Sequence, residues 1–209
     1  MGFMLKQMVR RISKRCYLGI DWQVEKLRLV LLANTPDVNK FTSLPRWTLP
    51  TPKFESMTNS IDLSTSAGWA PCLEQLQLLM RRGSLLVNVG LPPSYFTWIH
   101  CPAAQLTVGQ PEHPLQCQRW AATALNLDPA NLLVSHLQLA PSLDLLVVLK
   151  RHHEHLVRCL LTSLQSCVGR PVTGNLEPQA CLPTDVPGHV DEAFVGAWWL
   201  ARKYRNNDA

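Results

Sequence analysis

At 209 residues, with 46% apolar and 17% charged side chains, the chain is long and greasy enough to bury a core, which excludes an intrinsically disordered protein. No apolar run approaches the ~18 residues that a membrane-crossing helix needs. The net charge of +5 equals that of Lys6, Arg10, Arg11, Lys14 and Arg15, so the rest of the chain is neutral. A protein that tracks a nucleic-acid backbone spreads basic charge over a folded face, so this distribution argues against direct DNA binding.

In chain order, residues 1–15 read as a basic amphipathic leader, with Leu5, Met8, Val9 and Ile12 at i, i+3, i+4 and i+7. Such a segment fits a solvated tail, contact with an anionic membrane surface, or nucleic-acid contact. No apolar h-region or cleavage site follows it, so it is not read as a secretory signal. Lys6 stands where a myristoylation signal has Ser or Thr. The seven cysteines are odd in number and contain no C-x-x-C pair, which predicts reduced thiols in a cytoplasm.

Strands are predicted at 17–21, 27–33 and 41–49, followed by a polar loop over 51–66. Trp69, Leu73, Leu76, Leu79 and Met80 then trace one face of a helix that stops at Gly83. Residues 85–91 are almost wholly apolar, as in a central strand buried on both faces. After Pro92 and Pro93 come a strand at 95–100 and a helix at 111–127 whose Cys117, Ala121, Ala124 and Leu125 share a face. Strands at 132–139 and 143–150 follow. A helix over 151–168 points His153, Leu156, Leu160, Leu161 and Leu164 inward, and a strand at 171–175 completes a β-α-β-β-α-β order, that of a ferredoxin-like module. A last amphipathic helix spans 191–204, with Phe194, Ala197, Trp198 and Ala201 on one side.

Few residues offer chemistry. His152, His155 and Cys159 have ligand-like helical spacing but no fourth partner, so they read as a polar surface stripe. Asp144 and Glu154 lie on different elements and do not form an acid/base pair. Ser142 and Ser163 lack a nucleophile-elbow context, and no P-loop or dinucleotide fingerprint occurs. No catalytic, cofactor-binding or metal-ligating residue is assigned, and the chain is read as a non-enzyme. Of seven tryptophans, Trp198 and Trp199 are adjacent on one helix, so one of them is expected to meet a partner or a neighbouring subdomain.

Several short motifs, in order, resemble the PilM family of type IV pilus proteins, which have an actin-like fold. Tyr17-Leu18-Gly19-Ile20-Asp21 resembles its opening strand, and Asn88-Val89-Gly90-Leu91-Pro92 the strand before its inserted subdomain. Val147-Val148-Leu149-Lys150 and the helix after it resemble the insert. Asn175-Leu176-Glu177-Pro178-Gln179-Ala180 and the run Phe194 to Arg202 resemble the family's Glu-Pro stretch and C-terminal helix. The style is that of the Trp-rich HofM-like proteins of DNA utilisation.

The resemblance implies an α/β fold: a truncated actin-like (ribonuclease H-like) core at 16–93 with an inserted ferredoxin-like βαββαβ module at 94–176. A linker and C-terminal helix at 177–209 would pack back on the core, with the second actin-like lobe missing. It further implies a non-enzymatic cytoplasmic scaffold at the inner-membrane periphery, in a type IV pilus-like or competence machine. Its partner would be the cytoplasmic N-terminal segment of a bitopic PilN- or HofN-like protein. The alternatives are a residual ATP-binding actin-like protein and a DNA-binding accessory protein acting through the leader. At the first phosphate loop only Asp21 matches, while Trp22 and Gln23 replace the small residues and Glu25 adds negative charge. The second loop has no counterpart between Ala180 and Phe194, so no cofactor is expected. The sequence assigns no oligomeric state.

Overall fold

Every residue from Cys16 to Trp22 is buried, so the first strand has neighbours on both edges and layers on both faces. The computed structural model describes residues 15–33, 45–80, 83–102, 113–140, 143–178 and 192–207. The leader, apart from Arg15, and the stretch around Pro183 to Gly188 therefore lie outside the described residues. The chain forms two compact units, residues 1–92 with 156–209, and residues 93–155.

The first unit is built on a five-stranded mixed sheet of order β10-β6-β1-β2-β3. β1 (Arg15–Trp22) pairs antiparallel with β2 (Lys26–Ala33), which pairs antiparallel with β3 (Arg46–Pro50). On its other edge β1 runs parallel to β6 (Ser84–Leu91), and β6 parallel to β10 (Val172–Pro178). Leu18 thus lies between Leu31 and Val87 at the centre of the sheet. A small hairpin, β4 (Phe54–Glu55) with β5 (Ser60–Ile61), sits in the stretch read as loop.

Alternation along β1 sends Tyr17, Gly19 and Asp21 to one face and Leu18 and Ile20 to the other. The C-terminal helix, here labelled by its range Val195–Asn207, covers the first face. Its Val195, Ala197, Trp198 and Ala201 cluster with Tyr17, Val30 and Leu32. A Cβ at Gly19 would coincide with the carbonyl of Ala197 and lie 2.6 Å from the Ala201 nitrogen, so only glycine permits this approach. Buried Asn88 on β6 donates from Nδ2 to the Leu200 carbonyl at 3.1 Å, tying the helix to a second strand.

On the opposite face, Leu161 packs over Gly174 of β10. Leu161 belongs to the helix Arg151–Val168, which starts in the second unit and whose residues from 156 onward belong to the first. The helix Ala70–Leu79 lies beside it, burying Cys72, Leu73, Leu76 and Leu79, with Gln77 Nε2 donating to the Cys167 carbonyl at 2.7 Å. Trp69, fully buried, donates from Nε1 to Pro50 O at 3.3 Å. In chain order these helices are α1 (Ala70–Leu79), α2 (His113–Leu125), α3 (Arg151–Val168) and α4 (Val195–Asn207).

The second unit is a three-stranded antiparallel sheet of order β7-β9-β8, formed by β7 (Phe96–Pro102), β8 (Leu132–Ala140) and β9 (Leu143–Lys150). α2 closes one face, packing Cys117, Ala121 and Ala122 against Cys101, Leu132, Leu146 and Val148. Asn126, at φ +52°, ends α2 in the left-handed conformation that asparagine tolerates, and Leu127 N–H donates back to Ala122 O at 3.0 Å.

The coarse expectation of a mixed α/β chain stands. The four-stranded ferredoxin-like sheet does not form: the strand expected to complete it lies in the five-stranded sheet. β10 pairs with β6, which is buried along most of its length, while β7, the strand a ferredoxin-like module would offer it, remains an edge of the three-stranded sheet. Two helix faces also differ in detail. Ala122 rather than Ala124 is buried on α2, and α3 buries Val157, Leu160, Leu164 and Val168 while Leu156 and Leu161 are half-buried.

Two glycines separate close approach from backbone conformation. Gly169 ends α3 at φ +65° with nothing within 4 Å of a Cβ, so Gly169→Ala should cost about 1–2 kcal/mol. Gly19→Ala has to push α4 off the sheet and should cost about 3 kcal/mol or more. Urea unfolding of both variants checks this, and equal costs would rule out the described docking of α4.

Candidate functional site

Asp21 closes the C-terminal end of β1 and is 6% exposed. Its Oδ2 accepts from Gln23 Nε2 at 3.2 Å, and a Cβ at Gly196 would lie 3.0 Å from the same oxygen. Gly196 is the second residue of α4, so the carboxylate faces the helix end where free N–H groups concentrate positive potential. The turn is held by Gln23 N–H to Lys26 O at 2.9 Å and by the Thr51 hydroxyl against the carbonyls of Gln23 and Val24. Trp22 is buried and Glu25 exposed. At this corner the helix start therefore meets the protein's own carboxylate, where an anionic ligand would need N–H donors.

The second unit holds a buried polar cluster. Asp144 is fully buried; its Oδ1 accepts from His136 Nε2 at 2.9 Å, and Oδ2 has no hydrogen-bond partner among the described residues. Cys101 stands directly opposite Asp144 in the β7–β9 register. His113 Nε2 lies 3.6 Å from Cys117 Sγ, and its ring meets that of His136 edge-on at 4.8 Å. Burial pushes both thiols up, with Asp144 adding to the effect on Cys101, and Cys101 and then Asp144 adding to that on Cys117. A raised thiol carries less thiolate at neutral pH than a free one and is correspondingly less nucleophilic. Among the described residues no group of three His, Cys, Asp or Glu is placed to hold a metal ion.

The α3 stripe is dispersed. His152 is exposed, while Cys159 is half-buried with its thiol donating to Asn59 O at 3.4 Å. His153 stacks on Tyr95 with ring centroids 4.2 Å apart and an interplanar angle of 8°. Burial first, then the neighbouring His152 and Lys150, pull its pKa down to about 4. Asp144 and Glu154 are not joined; the partner of Asp144 is His136, which the sequence reading missed. Ser163 Oγ accepts from Leu63 N–H at 3.2 Å, and Ser142 lies outside the described residues.

The tryptophans sort by layer. Trp198 is 2% exposed in the α4 cluster, with the Arg202 guanidinium 5.1 Å from its ring, and Trp199 packs against the same cluster. Trp198 is thus the inward-facing member of the pair, and Trp199 stays half-buried at the edge of the cluster. Trp98 instead is 38% exposed, on the face of the three-stranded sheet turned away from α2. By register that face also carries Phe96 and His100 on β7, Leu145, Val147 and Leu149 on β9, and Leu133, Ser135 and Leu137 on β8. Leu137 is 43% exposed, so an aromatic and an aliphatic side chain stand open on flanking strands. Alternation with a half-apolar outer face is the signal that could have singled out Trp98 in the sequence.

No family model and no curated protein matches the chain. Among solved structures it is similar to the cytoplasmic domain of EpsL, an inner membrane component of the type II secretion system of Vibrio cholerae. The TM-score is 0.47 at 12% identity, over 85% of this chain and 61% of that one. The chain thus spans about three fifths of that domain's length.

The depressed His153 gives a pH signature. Its folded pKa of about 4 lies below the ordinary 6.5, so the unfolded chain takes up this proton first as pH falls. Its contribution to stability is full above pH 6.5 and is lost as pH drops toward 4. His153→Phe keeps a ring against Tyr95 and cannot gain the proton. The unfolding free energy of wild type minus variant should therefore fall between pH 7 and pH 4, and a flat difference would contradict the assigned environment.

Proposed function

We propose that the chain is a non-enzymatic scaffold of a secretion- or pilus-like machine, working at the cytoplasmic periphery of the inner membrane. It captures a short segment of a bitopic membrane partner. The observation that carries this reading is the pair of exposed apolar side chains, Trp98 at 38% and Leu137 at 43%, on the sheet face away from α2, flanking the buried Val147 and Leu149 of β9. A large aromatic standing in a partly solvated apolar face is the usual anchor of a protein–protein contact. Among the described residues no helix is long and apolar enough to cross a membrane, so a membrane-anchored partner would supply attachment.

The Asp21 corner supports a scaffold over a nucleotide-binding protein. A phosphate there would meet the Asp21 carboxylate, with Trp22 buried beside it and Glu25 on the same turn. The mixed sheet, in which β1, β3, β6 and β10 run one way and β2 alone the other, is compatible with one half of an actin-like fold. The finer reading rests on the sequence motifs: a PilM- or HofM-like component of DNA utilisation that binds a PilN- or HofN-like N-terminal segment. The leader, through its basic residues, would favour the anionic membrane surface from which such a segment emerges.

Two measurements test this. Immobilised full-length chain should recover a small bitopic protein from detergent-solubilised inner membrane, and Trp98→Ser should lose it with an unchanged melting temperature. Equal recovery by the two baits, or none by a folded wild type, would overturn the proposal. Mg-ATP up to millimolar concentration should leave the melting temperature unmoved; a saturable rise would restore the nucleotide-binding alternative.

A further inference from the structure

Independently of that reading, β8 presents a bare strand edge. Its first residue, Leu132, sends its N–H back to Pro129 O and its carbonyl accepts from Gln118 Nε2 at 3.1 Å, so its main chain points away from β9. By alternation the N–H and carbonyl groups of Val134 and His136 point the same way. Among the described residues no backbone hydrogen bond reaches them from outside the sheet. From Leu132 to Leu139 the strand contains no Lys, Arg, Asp, Glu, Pro or Gly, and its one register shift falls only at Gln138/Ala140. Edge strands that stay solitary usually carry such charges, prolines or bulges along their length.

We infer that a second copy of this chain pairs there, β8 against β8 in antiparallel register about a two-fold axis at Ser135. This register matches chemistry on both faces. Outward-pointing Val134 lies opposite His136 of the second copy, the pairing that exchanges both hydrogen bonds. Half-buried Leu133 lies opposite exposed Leu137, twice, in the close non-hydrogen-bonded positions where side chains touch. Charge selects the antiparallel sense. Lys150, opposite Leu132, and Arg151, whose Nε donates to Ala130 O at 2.8 Å, make one end of the strand basic. The two-fold keeps these ends roughly 20 Å apart, beyond the ~8 Å screening length, whereas a parallel pair would press them together.

The area sets the strength. About 30 Å of strand edge and about 10 Å of sheet thickness give ~300 Å² per copy, well below the ~800 Å² of a standard interface. Exposed Leu115, one turn before Gln118 on α2, adds apolar surface along the same edge. The dimer is therefore transient, with Kd on the order of 10–100 μM.

Sedimentation equilibrium of the full chain from about 5 to about 500 μM should follow a monomer–dimer equilibrium in that range. Ser135→Lys sets two like charges face to face and should weaken dimerisation at least ~10-fold, as should Ser135→Glu. A mixture of these two variants should dimerise again, an outcome that only self-opposition of residue 135 produces. Leu137→Lys, at an exposed position, gives a second disruption should Ser135→Lys fail to fold. A wild type monomeric throughout, or a dimer indifferent to all these changes, would overturn the inference.

Discussion

The first unit depends on how closely α4 approaches β1. Gly19 has no side chain where the Ala197 carbonyl lies, and Ala197 and Ala201 have almost none where the strand lies. That closeness brings Trp198 down beside Tyr17, Val30 and Leu32, and brings the Leu200 carbonyl within reach of Asn88. It also delivers the start of the helix to Asp21. A helix held at the ordinary ~10 Å from the sheet would fill the space with longer side chains and leave the carboxylate to water. One missing methyl group thus determines both the core of this face and the electrostatics of its corner.

The two ends of polar chemistry in the molecule are accordingly inward-looking. Asp21 faces Gln23 and a helix terminus, and Asp144 pairs with His136 beside thiols whose pKa burial raises. In the second unit, exposed apolar side chains stand on the face around Trp98 and beside the edge of β8. Surfaces of this kind offer apolar area and backbone hydrogen bonds, the two elements from which contacts between chains are built. The face and the edge belong to the same three-stranded sheet, so occupation of the edge would extend the face into a wider platform.

Much of this architecture was legible because its signals are local. The almost wholly apolar run from Leu85 to Leu91 reads as a strand covered on both faces, and the spacing of Phe194, Ala197, Trp198 and Ala201 gives the inner stripe of α4 directly. Partner choice was not legible. β10 follows β9 and α3 in a ferredoxin-like order, yet pairs with β6, an edge more than eighty residues earlier that no local pattern identifies as its partner. The His136–Asp144 pair was hidden for a related reason. It is a contact between neighbouring strands, visible only once Gln138 is known to oppose Asp144, which sets His136 diagonally across from it on the same face. For Trp198 and Trp199 the sequence showed that both rings could not face inward, but only the packing shows which does: the slot opened by Gly19 takes Trp198, and Trp199 stays half-buried at its rim.

The interleaving of the two units has a consequence for the order in which the chain is made. Residues 93–155 form a contiguous segment whose sheet and covering helix are complete once Lys150 has left the ribosome. β1 and β6 are synthesised earlier, but neither can be finished then. β6 awaits β10, more than eighty residues later, and the face bearing Gly19 and Asn88 awaits α4 later still. During that interval a strand buried along most of its length has one partner instead of two and one face open. The middle of the chain is thus expected to mature during translation while its flanks remain nascent, and at normal elongation rates of about 5–20 residues per second that exposure lasts some seconds. A holding chaperone would find its substrate there, on β6, and lose it when the C-terminal helix closes over the sheet.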